Sequence, residues 1–331
     1  YFLGRELGGR TAGFMAAVMI AVLPGQFLSR SIIGFTDHHA AEVLLSTTAM
    51  LFFMLAVRYG AGKLTFASLR GGDIKALKRP IAFSVLAGLF LGLYIDAWAS
   101  GHLFVGILLA FITIQSIVDH LRGRNVEYLG IAGSITFLIT LLLILPFVSV
   151  QNGFAFVYYS IFQPIMLITG IVFVLLLSLI SNQLVLRKMD RRYFPLIVVG
   201  AVAVVFVILM VAVPQFAASL TSGLRIFEPR SGGAATISEA SSILEPGRYG
   251  IQRNFPGLIS ILSPFWLTLL ALPLLLQRYR RDDGHSPEML ILVWTVMMLA
   301  LTFAQNRFAY YYAINVAFLS GYLGSVVLDK T

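Results

Sequence analysis

Ten apolar stretches, near 11–28, 40–57, 80–95, 102–117, 127–147, 164–184, 193–214, 258–276, 289–303 and 309–327, alternate with short polar segments along the 331 residues of the chain. Each is about the length a helix needs to cross roughly 30 Å of hydrocarbon. Alternation of apolar and polar positions at strand spacing is absent. In lipid the backbone must satisfy its own hydrogen bonds, so the pattern predicts helices rather than barrel strands. The predicted fold class is all-α, a polytopic transmembrane helix bundle over residues 1–331. With 58% hydrophobic and 12% charged residues, the composition removes the size rule for soluble domains from consideration.

Charge placement predicts orientation. Of the 24 Lys and Arg, all but six lie on one side of the predicted spans; the six are Arg30, Arg225, Arg230, Arg248, Arg253 and Arg307. The richer side is predicted to be cytoplasmic, and ten spans return both ends to it. The net charge of +9 then reflects topology and attraction to anionic lipid. It is scattered over short loops, which argues against a nucleic-acid partner. The absence of cysteine excludes disulfides and thiolate metal ligands. A chain that opens at Tyr1 without a charged-then-apolar leader, and stops just past a span, reads as a fragment of a longer protein.

The poorer side carries the candidate chemistry. Its informative connections are Ser29 to Ala41, Gln215 to Gly257, and the tight turn Ala304 to Phe308. It also holds six acids, Asp37, Glu42, Asp96, Glu228, Glu239 and Glu245, and an ionisable group at a span end is a functional candidate by default. Asp37 and His39 are two apart, so shared metal binding requires a loop there. Carboxylate with imidazole suits Mn²⁺ or Mg²⁺, and also Zn²⁺. The competing role for Asp37 is as N-cap of the 40–57 span. Glu239, among Gly232, Gly233, Pro246 and Gly247, is either a solvated loop acid or a catalytic one. Arg307 between two apolar spans either snorkels to headgroups or grips a phosphate with its planar fork. Trp98, Tyr158, Tyr159 and Tyr310 to Tyr312 are expected to form an interfacial aromatic belt. Asp96, near His102, is expected to serve a structural pairing or a lipid phosphate. His120 and His285 are expected in cytoplasmic loops without a special role.

Three segments together resemble the catalytic subunit of oligosaccharyltransferase, in its archaeal form. They are Arg30-Ser31-Ile32-Ile33-Gly34-Phe35-Thr36-Asp37-His38-His39, then Thr236-Ile237-Ser238-Glu239, then Asn306-Arg307-Phe308. The resemblance implies a membrane glycosyltransferase of the GT-C type. Such an enzyme moves an oligosaccharide from a dolichyl phosphate or pyrophosphate to Asn of Asn-x-Ser/Thr in an acceptor polypeptide, on the extracytoplasmic face of the cell membrane. It further implies that Asp37 and His39 hold a divalent ion, Mn²⁺ or Mg²⁺, and that Arg307, with His38 and Arg30, binds the donor phosphate. The 215–257 loop would close over the acceptor, Glu239 would engage its amide, and Thr236 would orient Glu239. A further catalytic aspartate and the acceptor-reading Trp-Trp-Asp motif of the family are expected outside 1–331. Two alternatives stand beside this one. A dolichyl-phosphate-sugar O-glycosyltransferase would not need the Thr-Ile-x-Glu segment, and a transporter would place paired charges at mid-membrane.

Overall fold

The computed structural model describes residues 1–34, 38–72, 74–212, 215–217, 264–281 and 286–328. Among these residues there are helices and turns and no strand. In chain order the helices are α1 (Phe2–Val22), α2 (Gln26–Ser31), α3 (His39–Gly60), α4 (Phe66–Gly71), α5 (Ile74–Ala97) and α6 (His102–Leu121). They continue with α7 (Glu127–Ile144), α8 (Phe162–Leu186), α9 (Tyr193–Ala212), α10 (Pro264–Arg281), α11 (Ser286–Ala304) and α12 (Ala309–Leu328). All ten expected spans meet a helix, to within a few residues at most ends, and residues 258–263 of the expected span 258–276 lie outside the described residues. Eight helical stretches among the described residues are long and apolar enough to cross a membrane, so this is a multi-pass membrane protein. The two expected spans outside that group correspond to α1, which carries Arg5, Glu6 and Arg10, and α10, which ends in Arg278, Arg280 and Arg281. The expected span 11–28 runs past the end of α1 at Val22 into α2, and neither α2 nor α4 registers as an element of its own because six residues are too few to show a period.

The chain forms two compact units, Tyr1–Val43 with Leu224–Thr331, and Leu44–Gly223. In the first, α1 packs along α12 through small residues. A Cβ placed on Gly321 would lie 2.6 Å from the Ala12 carbonyl oxygen and 2.7 Å from the Ala16 nitrogen. Lipid offers no hydrophobic drive between helices, so close backbone approach of this kind supplies the dispersion that holds them. The helix α1 breaks at Gly8 and Gly9, the latter at φ 76°, a conformation glycine adopts without strain. Next to the break, Arg278 of α10 donates to the Leu7 carbonyl and lies 3.4 Å from the buried Glu288 carboxylate on α11. One guanidinium thus serves an interrupted helix and a buried acid. Arg278→Gln is expected to destabilise the protein by about 1.5–3 kcal/mol, the range for hydrogen bonds to charged groups. A thermal melt of the detergent-solubilised protein checks this.

In the second unit α7 is central, packed against both α5 and α8. Thr136 and Thr140 donate to the Ser84 and Gly88 carbonyls at 3.1 Å each. Gly130 lets α8 come close enough that an added Cβ would meet the Ser178 hydroxyl at 2.1 Å. His120 departs from expectation. It is a residue of α6 rather than a loop residue, it is 1% exposed, and its Nδ1 meets the Ser181 hydroxyl at 2.7 Å. The helix runs past the apolar stretch because neighbouring side chains supply partners for its polar last turn: Asp119 accepts from Gln115 at 2.9 Å and from Tyr128 at 2.7 Å. The helices α6, α8 and α9 also line an apolar cavity of about 290 Å³, with Leu109, Phe162, Met166, Phe173, Val205 and Phe206 among its walls.

Candidate functional site

The site is built where α3 begins, within the first unit. The chain leaves α1 through Leu23, Pro24 and Gly25, the last at φ 115°, and turns into α2, which places Arg30 in its final turn. Arg30 is 7% exposed. His38 lies just before α3, and its carbonyl accepts from the Glu42 nitrogen at 2.9 Å. Glu42 sits in the first turn of α3, where free N–H groups and the helix dipole favour an anion. Residues three and four apart share a helix face, so His38, His39 and Glu42 stack on one side.

The resulting contacts are close. The Glu42 Oε1 lies 2.8 Å from His38 Nε2 and 3.5 Å from His39 Nδ1. The Glu42 Oε2 accepts from the Tyr310 hydroxyl at 2.6 Å and from the Tyr311 hydroxyl. Arg30 Nη1 meets His39 Nε2, and its guanidinium lies 5.2 Å above the Tyr310 ring. The His39 and Tyr310 rings are 4.8 Å apart, and the Tyr310 and Tyr311 rings stack at 4.4 Å. Glu42 is 1% exposed. A carboxylate so buried is tolerable only when donors or positive charge reach it, and here two hydroxyls donate to Oε2 while two imidazoles lie beside Oε1.

Tyr310 and Tyr311 open α12, directly after the tight turn formed by Asn306, Arg307 and Phe308. Arg307 is half-buried with its guanidinium 5.2 Å over the Phe308 ring. Asn306 is 1% exposed, and neither of its amide atoms has a hydrogen-bond partner among the described residues. The turn therefore holds unused hydrogen-bonding capacity beside a guanidinium.

Of the residues selected from sequence, Arg30, His38 and His39 come together. Arg307 lies in the turn that precedes the two tyrosines. Asp37, Thr236 and Glu239 lie outside the described residues. The belt expected of Tyr310 to Tyr312 is corrected: they are 4%, 2% and 0% exposed, because Tyr310 and Tyr311 turn inward to the Glu42 carboxylate and Tyr312 packs beside Phe265. Tyr158, at 64% exposed, does face outward. Sequence reasoning counted Glu42 only as an outer acid and missed its partners. Two signals were available. Glu42 follows His38 and His39 by four and three residues, and three consecutive tyrosines span about 200° of a helix, too wide an arc for all of them to face lipid.

One ligand atom from each of His38, His39 and Glu42 lies within 4.8 Å of the others. This mixed nitrogen and oxygen set is of the kind that holds a divalent ion, so the residues present fit a metal.

A family model described as "Oligosaccharyl transferase STT3, N-terminal" matches residues 1–330. The dolichyl-phosphooligosaccharide-protein glycotransferase 3 of Archaeoglobus fulgidus is 32% identical over all of this chain, which covers 37% of that protein. The structure resembles that of the archaeal oligosaccharyltransferase AglB from the same organism in complex with an inhibitory peptide and a dolichol-phosphate. There the TM-score is 0.85 at 31% identity, covering 100% of this chain and 38% of that one. It also resembles the A. fulgidus oligosaccharyltransferase tethered to an acceptor peptide containing an NVT sequon, with TM-score 0.79 at 28% identity and coverage of 100% and 36%. The chain spans a little over a third of the length of these relatives.

Proposed function

This chain belongs to the STT3 oligosaccharyl transferase family, and from that premise we propose that it is the catalytic membrane portion of an archaeal-type N-glycosylation enzyme. The full protein transfers an oligosaccharide from a dolichyl phosphate or pyrophosphate donor to Asn of Asn-x-Ser/Thr, at the extracytoplasmic face of the cell membrane. One observation carries the reading most: Arg30, His38 and His39 of one signature converge with Tyr310 and Tyr311, which follow directly on a second signature, Asn306-Arg307-Phe308. Some 270 residues of sequence separate the two.

Each group has a task that its chemistry suits. The amide nitrogen of Asn is conjugated with its carbonyl and is a poor nucleophile, so an acid that takes its N–H bonds assists attack; Glu239 fills that role, with Thr236 orienting it. Asp37 and His39 hold a divalent ion, Mn²⁺ or Mg²⁺, which when bound supplies positive charge to the departing phosphate. Arg307 presents a planar fork that matches two phosphate oxygens, and His38 and Arg30 add donors to the same anion.

The test is transfer by the full-length enzyme from lipid-linked oligosaccharide to an Asn-x-Thr peptide, with and without added Mn²⁺. A product linked to Ser or Thr would replace the reading with an O-glycosyltransferase. Arg307→Lys probes the donor site within the same assay. Lysine keeps the charge but loses the two-pronged contact, so donor affinity is expected to fall about tenfold or more while peptide affinity holds. Unchanged donor affinity would make Arg307 a headgroup anchor.

A further inference from the structure

The connection between α7 and α8, residues 145–161, keeps its hydrogen bonds inside and its large apolar side chains outside. The Ser160 hydroxyl, fully buried, accepts from the Ala155 nitrogen at 3.1 Å and donates to the Ala155 carbonyl at 2.8 Å. The equally buried Gln163 amide accepts from the Ser160 nitrogen at 2.9 Å and donates to the Tyr158 carbonyl at 2.8 Å. Asn152 donates to the Tyr159 carbonyl. Main-chain bonds from Ser149 to Tyr159 and from Ile161 to Gly153 close the segment on itself, and the Tyr159 hydroxyl ties it to the Asp96 carbonyl at 2.6 Å. Outside this frame stand Phe147, Val150, Val157 and Tyr158, which are 56%, 77%, 68% and 64% exposed. In water such a loop gains nothing from that arrangement, since water would serve its carbonyls while the apolar surface would go unburied.

The apolar surface continues what flanks it. Leu138, Leu142 and Leu145 form an exposed stripe at helical spacing that runs off the end of α7, and Ile165, Ile168 and Val172 form another on α8. In a multi-pass protein such stripes meet lipid. No Asp, Glu, Lys, Arg or His occurs between Glu127 and Arg187, so nothing charged holds the connection in water. The 18 residues of α7 rise about 27 Å, which is short of roughly 30 Å of hydrocarbon. The loop therefore begins near the hydrocarbon boundary, where main-chain groups find little water and need partners from the chain. Ser160, Gln163 and Asn152 are those partners. From this arrangement we infer that residues 147–158 are an interfacial wedge, seated in the headgroup and upper acyl region of the leaflet they face, with Phe147, Val150, Val157 and Tyr158 in contact with lipid. The partner is a lipid surface held through apolar area, so the seating is expected to be indifferent to salt and to anionic lipid. It is independent of the proposed reaction.

Depth measurement on the full-length protein tests this. Single cysteines replacing Val150 or Val157, in a background without other reactive cysteines, are spin-labelled and reconstituted in phosphatidylcholine vesicles. Leu142→Cys supplies the hydrocarbon reference and Arg187→Cys the aqueous one, and both sites, like the test sites, have exposed side chains. Power saturation then compares collision of each label with oxygen, which concentrates in lipid, and with a water-soluble nickel chelate. Labels at 150 and 157 are expected to favour oxygen over the chelate, at depths between the two references, with no change on adding phosphatidylglycerol or salt. Chelate access equal to that at position 187 would put the loop in water and overturn the inference. Shielding from both reagents would overturn it too, by making the patch a surface covered by another part of the protein. Seating that appears only with phosphatidylglycerol would refute the apolar mechanism.

Discussion

Replacing His39 with Ala in the full-length protein is expected to lower oligosaccharide transfer by about a hundredfold or more, the scale of a lost stabiliser of developing charge. The imidazole is 12% exposed and wedged between the Glu42 carboxylate, the Arg30 guanidinium and the Tyr310 ring. Its removal takes away the proposed ligand nitrogen and leaves Arg30 without the acceptor that holds it back from the anion site. His38 has a side chain 48% exposed, and His38→Ala is expected to produce a smaller loss that falls mainly on donor affinity. Transfer rates at saturating donor, Mn²⁺ affinity and melting temperature of both variants, measured in parallel, check this. If His39→Ala transfers at near the wild-type rate, the His39 ligand assignment fails. If melting and transfer fall together in both variants, the cluster is structural.

The membrane architecture was legible because its cause is local. A run of about twenty apolar residues has one stable outcome in lipid, a helix, and each of the ten runs met one. What escaped was anything set by partners distant in sequence. The charges near the ends of α1 and α10 gave no hint that Arg278 would reach the Leu7 carbonyl and the Glu288 carboxylate, since pairing across elements leaves no periodicity. His120 was placed in a loop for the same reason. A polar last turn reads as the end of a span until Ser181 and Phe194 are known to lie against it.

At the site the motif residues were legible and their support was not. Arg30, His38 and His39 stand out as polar groups in an apolar context, and their types name the chemistry. Tyr310 and Tyr311 do not, because a tyrosine at a span end suits both a headgroup and a buried acceptor. Only the packing of α12 decides that their hydroxyls meet Glu42. Glu42 was visible as an acid and opaque as a partner. The spacing to His38 and His39 placed the three on one face, but nothing in the sequence says which oxygen faces which group.

Glu239→Gln in the full-length enzyme is expected to lower transfer by about a hundredfold or more while leaving the melting temperature nearly unchanged. Glu239 lies outside the described residues, so this expectation stands on its place in the Thr236-Ile237-Ser238-Glu239 segment and on the reaction. The acceptor nitrogen becomes nucleophilic only as its lone pair is freed from the carbonyl. A carboxylate that accepts from the amide N–H groups as this happens is favoured more in the transition state than in the ground state. Glutamine keeps the size and one acceptor but brings a donor and no charge, so it offers less to the developing positive charge on nitrogen. The loss is therefore expected in the rate at saturating substrates, with donor affinity intact because the donor phosphate is proposed to be held by Arg307, His38 and Arg30. Single-turnover transfer to an Asn-x-Thr peptide from native lipid-linked donor measures it. Near-normal turnover would remove Glu239 from the chemistry. A loss confined to peptide affinity, with the maximal rate preserved, would make the segment an acceptor-holding loop whose acid does not act on the nitrogen.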